Sequence, residues 1–278
     1  MTTSDTTQPD STARRTTSDS DVGPFPRVGI DAVALKPTEV DVSRAADLAA
    51  STLVVDYEGR ESFPDAGTLR ALAETADVLV TTPVRADGFD PLGDDSLSDS
   101  IPEAVGRVLV AGNGAYLSEA ESQRAVAPRF GEAHERYPDA WVGTEGVERI
   151  ALATGAPQFE LLSRSTERDA RALRAAGFDG ELAVYAPTVL TDDEDAILDA
   201  VGAYVSRRAT VRRALPDEYE TDSAATGRAR EVLLAASKDF AIVGDEETVR
   251  GRVEGLHGAG VDTVVGYPAR GLDELLDA

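Results

Sequence analysis

Residues 240–268 read FAIVGDEETVRGRVEGLHGAGVDTVVGYP and contain the signals of one helix followed by one strand. The acidic residues Asp245–Glu247 place negative charge at the start of the helix, where the backbone dipole favours it. The apolar residues that follow recur at helical spacing, namely Val249, Val253 and Leu256. Gly258 and Gly260 end the helix, and residues 261–265 are typical of a buried strand. This stretch therefore predicts an alternating α/β protein, and its helix followed by a strand is the unit that we expect to repeat along the remaining chain.

Eight apolar, β-branched runs of this kind alternate with helix-forming stretches along the chain. They are Gly29–Leu35, Thr52–Asp56, Asp77–Thr81, Arg107–Ala111, Ala140–Thr144, Phe159–Ser163, Leu182–Ala186 and Val261–Gly266, with Phe240–Val243 as a short extra piece. Apolar strands that alternate with helices indicate a parallel sheet covered by helices. Eight such units favour a TIM-type (β/α)8 barrel, and a doubly wound α/β sheet is the alternative.

The domain organisation follows from the same pattern. We expect one barrel domain over residues 25–278, preceded by a disordered polar tail over residues 1–24, which is rich in Ser, Thr and Asp. Between the fourth and fifth strands, residues 118–136 predict a helix that is broken or bent near Pro128.

The chain is strongly acidic, with 51 Asp and Glu against 27 Lys and Arg and a net charge of -24. Nucleic acids and anionic membrane surfaces bind clustered positive charge, so we expect neither as a partner. Only Lys36 and Lys238 are lysines, and the acidic residues are spread along the whole chain. This pattern favours adaptation to a salt-rich cytoplasm, where the Debye length falls to about 3 Å and a charged surface keeps the protein hydrated.

Several mechanisms are excluded by composition. The chain has no cysteine, which excludes disulfides, thiolate nucleophiles and Cys-ligated zinc. Its two histidines, His134 and His257, are too few for most His-based metal sites, so no metal is expected from them. No apolar run approaches the ~18 residues of a membrane span, and residues 1–20 lack the apolar centre of a secretory signal. We therefore expect a cytoplasmic protein.

Candidate functional residues follow the predicted strands, because the active groups of a parallel barrel lie at the carboxyl ends of its strands. Lys36 follows the first strand and is notable because lysine is so scarce. Asp56 and Glu58 follow the second strand at positions i and i+2, hence on one side of an extended chain. Such a pair is suited to a divalent cation or to divided acid and base roles, and its alternative is the start of a solvated loop.

Two glycine-containing turns are further candidates. Residues 143–146, Gly-Thr-Glu-Gly, precede a predicted helix, so Thr144 and the backbone N–H groups are suited to a phosphate. The alternative interpretation is that Thr144 caps the helix and the glycines ease a tight turn. Residues 112–114, Gly-Asn-Gly, follow the fourth strand and either admit a ligand close to the backbone or form only a turn.

Three segments of the C-terminal half resemble the luciferase-like flavin-dependent monooxygenases, and in particular the branch that uses the deazaflavin coenzyme F-420. Trp141–Leu162 is similar to that family's strand, Gly-x-x-Gly turn, helix and following strand. Glu181–Arg213 is similar to its strand and acidic-start helix with a Tyr-Val-x-Arg ending. Phe240–Pro268 is similar to its closing unit. The N-terminal half is shorter than usual in that family and lacks the Asp-His or Glu-His pair after the first strand, where Leu35 is followed by Lys36 and Pro37.

The resemblance implies an oxidoreductase that binds coenzyme F-420 or FMN in the barrel mouth and transfers hydride to or from a small-molecule substrate. The residues that would contact the cofactor are Thr81, Thr82, Asn113, Gly143, Thr144 and Gly146. The candidates for proton transfer are Lys36, Glu58 and Tyr185. Two alternatives stay open, a barrel of this descent that binds or assembles without turnover and a metal-assisted lyase or aldolase that uses Asp56, Glu58 and Lys36. A homodimer is also left open.

Overall fold

Parallel strands form the centre of the molecule in a computed structural model that describes residues 23–276. The strands are β1 (Ala32–Leu35), β2 (Thr52–Val55), β3 (Asp77–Pro83), β4 (Gly106–Val110), β5 (Trp141–Gly143), β6 (Gln158–Leu161), β7 (Leu182–Leu190), β8 (Ile242–Gly244) and β9 (Thr263–Pro268). The expected disordered tail lies outside the described residues except for Gly23 and Pro24. Pro24 begins the first helix.

The helices are α1 (Pro24–Arg27), α2 (Ala66–Ala73), α3 (Glu119–Ser122), α4 (Val126–Arg136), α5 (Glu148–Ala153), α6 (Thr166–Ala175), α7 (Glu194–Ser206), α8 (Ala209–Ala214), α9 (Gly227–Phe240), α10 (Glu246–Gly258) and α11 (Asp273–Leu276). Two short 3₁₀ helices cover Val42–Asp47 and Ser98–Ser100. None of the helices in this described part of the chain is both long enough and apolar enough to cross a membrane.

Eight of the strands close into a barrel, which confirms the predicted (β/α)8 architecture. Strands β1 to β7 pair with their neighbours in chain order, β7 pairs with β9, and β9 pairs with β1. Every one of these pairings is parallel. The register Ala32↔Val265 and Val33↔Gly266 joins the first strand to the last. The short extra piece of the sequence forms β8, which extends the far end of β7 and lies outside the ring.

Two details of the helices differ from expectation. The interruption within residues 118–136 lies between Ser122 and Val126, ahead of Pro128. Pro128 instead occupies the first turn of α4, where a backbone N–H has no acceptor within the helix and proline is tolerated. Phe240 ends α9 and does not begin the extra strand, which starts at Ile242.

Alternation along the strands divides the core into two layers. Outward residues such as Val33, Leu53 and Val264 pack against the surrounding helices. Inward residues fill the barrel interior, and they are Ala32, Ala34, Val54, Val108, Trp141, Phe159, Ala183, Tyr185, Val265 and Tyr267. Because successive strand residues point to opposite faces, the same alternation decides which side chains reach the open end of the barrel.

Helix α7 is held at the barrel mouth by the segment that follows α8. The backbone N–H of Ser223 donates to Asp199 on α7 at 2.8 Å. Ala225, in the segment that follows α8, is buried in one cluster with Leu198 and Val205 of α7. Gly202 lies so close to this segment that an added Cβ would fall 1.8 Å from the carbonyl oxygen of Thr221. The missing side chain at Gly202 therefore allows the backbones to meet.

We predict opposite effects for two helix glycines. Gly202→Ala should lower the free energy of unfolding by about 2 kcal/mol or more, because the new methyl group overlaps a backbone oxygen. Gly251→Ala, within α10, meets nothing within 4 Å and should raise the free energy of unfolding by about 0.5–1 kcal/mol through helix propensity. Urea unfolding of both variants tests this, and equal effects at the two positions would contradict the close packing at Gly202.

Candidate functional site

A cavity of about 420 Å³ opens at the carboxyl ends of the strands. Its lining follows the inward alternation of the barrel, continued through the first residues after each strand. The inward residues that line it are Lys36, Asp56, Glu58, Thr81, Pro83, Val110, Gly143, Glu145, Phe159, Leu161 and Tyr185. Ala34, Val54 and Val108 precede several of them by two positions and lie in the buried interior. The floor of the cavity is therefore the top of the packed barrel core.

Aromatic rings form one side of this floor. Trp141 stacks on Phe159 with ring centroids 5.9 Å apart, and Phe159 meets the edge of Tyr185 at 6.0 Å. Tyr185 lies almost parallel to Tyr267 at 6.4 Å. Leu161 continues this wall toward the opening. Of these rings, Phe159 and Tyr185 line the cavity, beside the polar ends of β1, β2 and β3.

Asp56 lies against this aromatic surface. The Tyr185 hydroxyl donates a hydrogen bond to Oδ2 of Asp56 at 3.3 Å. Burial raises the pKa of Asp56 to about 7, and the nearby Glu58 carboxylate adds to the rise. The Lys36 ammonium and the Tyr185 hydrogen bond oppose it. Because the pKa lies near neutrality, Asp56 is able both to give and to accept a proton there.

Glu58 has a different environment, although it lies only two residues away. Its Oε2 accepts hydrogen bonds from the backbone N–H of Thr38 at 3.0 Å and from the Thr38 hydroxyl. Its Oε1 accepts a hydrogen bond from the Tyr116 hydroxyl at 3.1 Å. Both oxygens are thus used to join the loops after β1 and β4, which makes Glu58 a structural acceptor at the edge of the cavity.

Lys36 is similarly committed to its neighbours. Its ammonium group lies 3.3 Å from a carboxylate oxygen of Glu39 and 4.2 Å from the centroid of the Tyr267 ring. The other oxygen of Glu39 accepts a hydrogen bond from the Tyr267 hydroxyl. The scarce lysine therefore lies in the barrel mouth, as the sequence indicated, and pairs with Glu39 there.

The structure separates the three threonines that were expected to contact a cofactor. Thr81 lines the cavity, where its hydroxyl accepts a hydrogen bond from the backbone N–H of Tyr57 at 2.6 Å. Thr82 and Thr144 are buried and face away from the cavity. Their hydroxyls point to the carbonyl oxygens of Val108 and Phe159, at 3.3 and 3.5 Å. Each of the two occupies the outward position of its strand, which explains the difference.

The two glycine-containing turns also differ in which of their residues line the cavity. Gly112, Asn113 and Gly114 all line the cavity rim. Gly143 lines the cavity wall, and a Cβ there would lie 2.7 Å from Val110. Gly146 does not line the cavity, and the following helix α5 is capped at Val147 without a side-chain hydrogen bond. Thr144 is therefore not the helix cap that one interpretation of this turn expected.

Helix α7 contributes residues that the sequence did not single out. Tyr204 and Arg207 line the cavity from above, and Arg208 stacks over the Tyr204 ring at 4.7 Å while pairing with Glu145 at 3.4 Å. The spacing of positions 204, 207 and 208 places all three on one helical face. The sequence carried this signal in YVSRR, but nothing in it showed that this helix end would cover the barrel mouth.

No group of three or more His, Cys, Asp or Glu side chains is arranged to hold a metal ion within residues 23–276. At the mouth, the two carboxylates that the metal-assisted alternative requires point to different partners, Tyr185 for Asp56 and Thr38 with Tyr116 for Glu58. The donor set is therefore arranged for hydrogen bonding.

Comparisons with known proteins agree on the fold. A family model described as a family of unknown function, DUF7388, matches residues 25–275. The coenzyme F-420-dependent tetrahydromethanopterin reductase from Methanopyrus kandleri superposes with a TM-score of 0.60 at 17% identity, covering 87% of this chain and 94% of the reductase. An F-420-dependent secondary alcohol dehydrogenase superposes with a TM-score of 0.56 at 13% identity, covering 88% and 95%. No curated protein matches the sequence.

The raised pKa of Asp56 predicts a pH dependence of stability. The folded state binds the Asp56 proton more tightly than the unfolded chain, so the resulting stability is fully present below the unfolded pKa of 3.8 and is lost as pH rises through about 7. Asp56→Asn removes this loss. Its free energy of unfolding, relative to wild type, should rise by about 1–3 kcal/mol between pH 4 and pH 8, less than the full pKa difference because solvent in the cavity screens the charge.

Urea unfolding at fixed ionic strength measures this difference, with Asp199→Asn as the control. A hydrogen bond from Ser223 lowers the pKa of Asp199, so its titration lies below this pH range. The control should show a constant difference from wild type between pH 4 and pH 8. If the difference in free energy of unfolding between Asp56→Asn and wild type is also constant with pH, burial does not raise the pKa of Asp56.

Proposed function

The chain belongs to the family of unknown function DUF7388, and we propose that it is a luciferase-like oxidoreductase that binds a deazaflavin or flavin in the barrel mouth. The observation that carries the proposal is the position of Asp56, a carboxyl with a pKa of about 7 beside the aromatic rings of Tyr185 and Phe159 in the cavity lining. The two superposed enzymes, whose names describe them as F-420-dependent, support the choice of cofactor.

The cavity suits the planar ring of such a cofactor. It has a volume of about 420 Å³, and Phe159, Leu161 and Val110 give it an apolar wall on the β4 to β6 side. Thr81 and Asn113 supply polar atoms on the β3 and β4 side. Pockets for cofactors combine a mostly apolar lining with a few polar groups that fix orientation. When bound, the cofactor would supply or accept hydride, and the protein would orient its ring.

Proton transfer is assigned to Asp56 with Tyr185 as its partner. Hydride addition to a polar double bond such as C=O leaves an oxygen that must gain a proton, and a group with a pKa near the working pH is best suited to donate it. Burial raises the pKa of Tyr185 well above its ordinary value, so its hydroxyl stays protonated and continues to donate to Asp56. Tyr185 would then hold the orientation of Asp56.

The other two proton-transfer candidates fit less well. Glu58 has both oxygens occupied by Thr38 and Tyr116. Lys36 pairs with Glu39, and its ammonium group lies over the ring of Tyr267, which stacks on Tyr185. We therefore assign Glu58 to holding the mouth loops together and Lys36 to the electrostatic balance of Asp56, whose pKa it lowers.

The turn at residues 143–146 does not support the phosphate contact suggested by its sequence. Thr144 faces the Phe159 carbonyl, and Glu148 places a carboxylate in the first turn of α5. Carboxylates at this position would repel a phosphate, whereas backbone N–H groups alone would attract one. Gly143 is retained as a wall residue, because its lack of a side chain keeps the cavity open beside Val110.

The proposal predicts that the purified protein binds coenzyme F-420 or FMN, and that Leu161→Ala weakens this binding about tenfold by removing apolar contact with the ring. Cofactor fluorescence measured during titration gives the dissociation constants. The matched control is Leu152→Ala, the same change at an exposed position on the neighbouring helix α5, and it should leave them unchanged. If the wild-type protein binds neither coenzyme F-420 nor FMN at high micromolar concentration, the proposed function is refuted.

A further inference from the structure

Within residues 23–276, all but one of the positive charges that line the cavity or directly flank its lining residues are paired with protein groups. Lys36 pairs with Glu39. Arg208 pairs with Glu145 and donates a hydrogen bond to the Tyr204 hydroxyl. Arg85, below the rim, donates to the carbonyl oxygens of Ala111, Gly112 and Ser122 at 2.6 to 2.9 Å. Each of these side chains is therefore already engaged with the protein.

Arg207 is the exception. It lines the cavity from the carboxyl end of α7, yet its guanidinium forms no hydrogen bond or ion pair with any other residue of the described range 23–276. Its side chain is exposed to solvent at the rim, so a ligand is able to reach it. A guanidinium offers five N–H donors in a fork that matches phosphate and carboxylate oxygens.

The Arg207 charge acts across the mouth of the cavity. Burial and the Glu58 carboxylate raise the pKa of the Tyr116 phenol to about 12, and the Arg207 charge opposes this rise. Arg207 therefore acts on the loop that carries Tyr116, opposite α7. The carboxylates nearby are already satisfied, Glu58 by Thr38 and Tyr116 and Glu145 by Arg208.

We infer that Arg207 is the anchor for an oxyanion, a phosphate or a carboxylate, carried by the ligand that occupies this cavity. The anion lies at the α7 side of the rim, while the uncharged ring or reacting group lies deeper, against Phe159 and near Asp56. The identity of the ring in this inference rests on the proposed function. The presence of the anion does not depend on that function. The anion belongs either to the cofactor or to a second ligand such as the substrate.

The first experiment compares FMN with riboflavin, which has the same ring without the phosphate. Wild type should bind FMN more tightly, and Arg207→Gln should weaken FMN about tenfold while leaving riboflavin unchanged, because a charge-assisted contact of this kind is lost. Arg212→Gln, at an exposed position on α8, is the control and should bind both ligands as wild type does. This result would place the oxyanion on the cofactor.

The second experiment titrates inorganic phosphate into the protein alone and into its riboflavin complex, with calorimetry as the readout. Phosphate binding that is lost in Arg207→Gln but kept in Arg212→Gln, together with unchanged FMN affinity, would support the anchor and assign the anion to a second ligand. If neither FMN nor phosphate affinity changes in Arg207→Gln, the inference is overturned. Failure of both flavins and of F-420 to bind would refute the proposed function, while the phosphate titration of the free protein would still decide the role of Arg207.

Discussion

Closure of the parallel sheet, with β1 hydrogen-bonded to β9, is the constraint on which the remaining structure depends. A closed ring has no free edge, and all its strands end at the same rim. Because side chains alternate along each strand, closure also fixes which residues share the interior. Asp56 from the second strand and Tyr185 from the seventh are 129 residues apart in sequence and meet through a hydrogen bond only because the ring is closed.

Electrostatics at the rim then distinguishes residues that look equivalent in the sequence. Asp56 and Glu58 are both carboxylates at the end of one strand. Asp56 is half-buried against Tyr185 and receives one hydrogen bond, and this burial disfavours its charged form. Glu58 receives three hydrogen bonds and joins two loops. One carboxylate is therefore available for proton transfer, and the other stabilises the mouth.

The cover of the mouth comes from outside the barrel repeat. Helix α7 is anchored by the close contact at Gly202 and by the hydrogen bond from Ser223 to Asp199. This anchoring brings Tyr204 and Arg207 over the cavity. The same helix end supplies Arg208, whose pairing with Glu145 links α7 to the end of β5. Packing of one inserted segment thus sets the charge that a ligand meets at the rim.

The sequence alone determined the strand count, the alternation of strands with helices along most of the chain and the position of Lys36, Asp56, Glu58 and Tyr185 at the barrel mouth, because strand and helix periods are local and can be counted. It did not show which side chains at the strand ends face the barrel interior. It therefore grouped Thr82 and Thr144 with Thr81, although only Thr81 faces the cavity. It selected Glu58 and not Asp56 for proton transfer, and it contained Arg207 only as the last residue of the Tyr-Val-x-Arg ending. The roles of these residues depend on burial and on contacts between distant segments, which exist only once the ring has closed and α7 has packed above it.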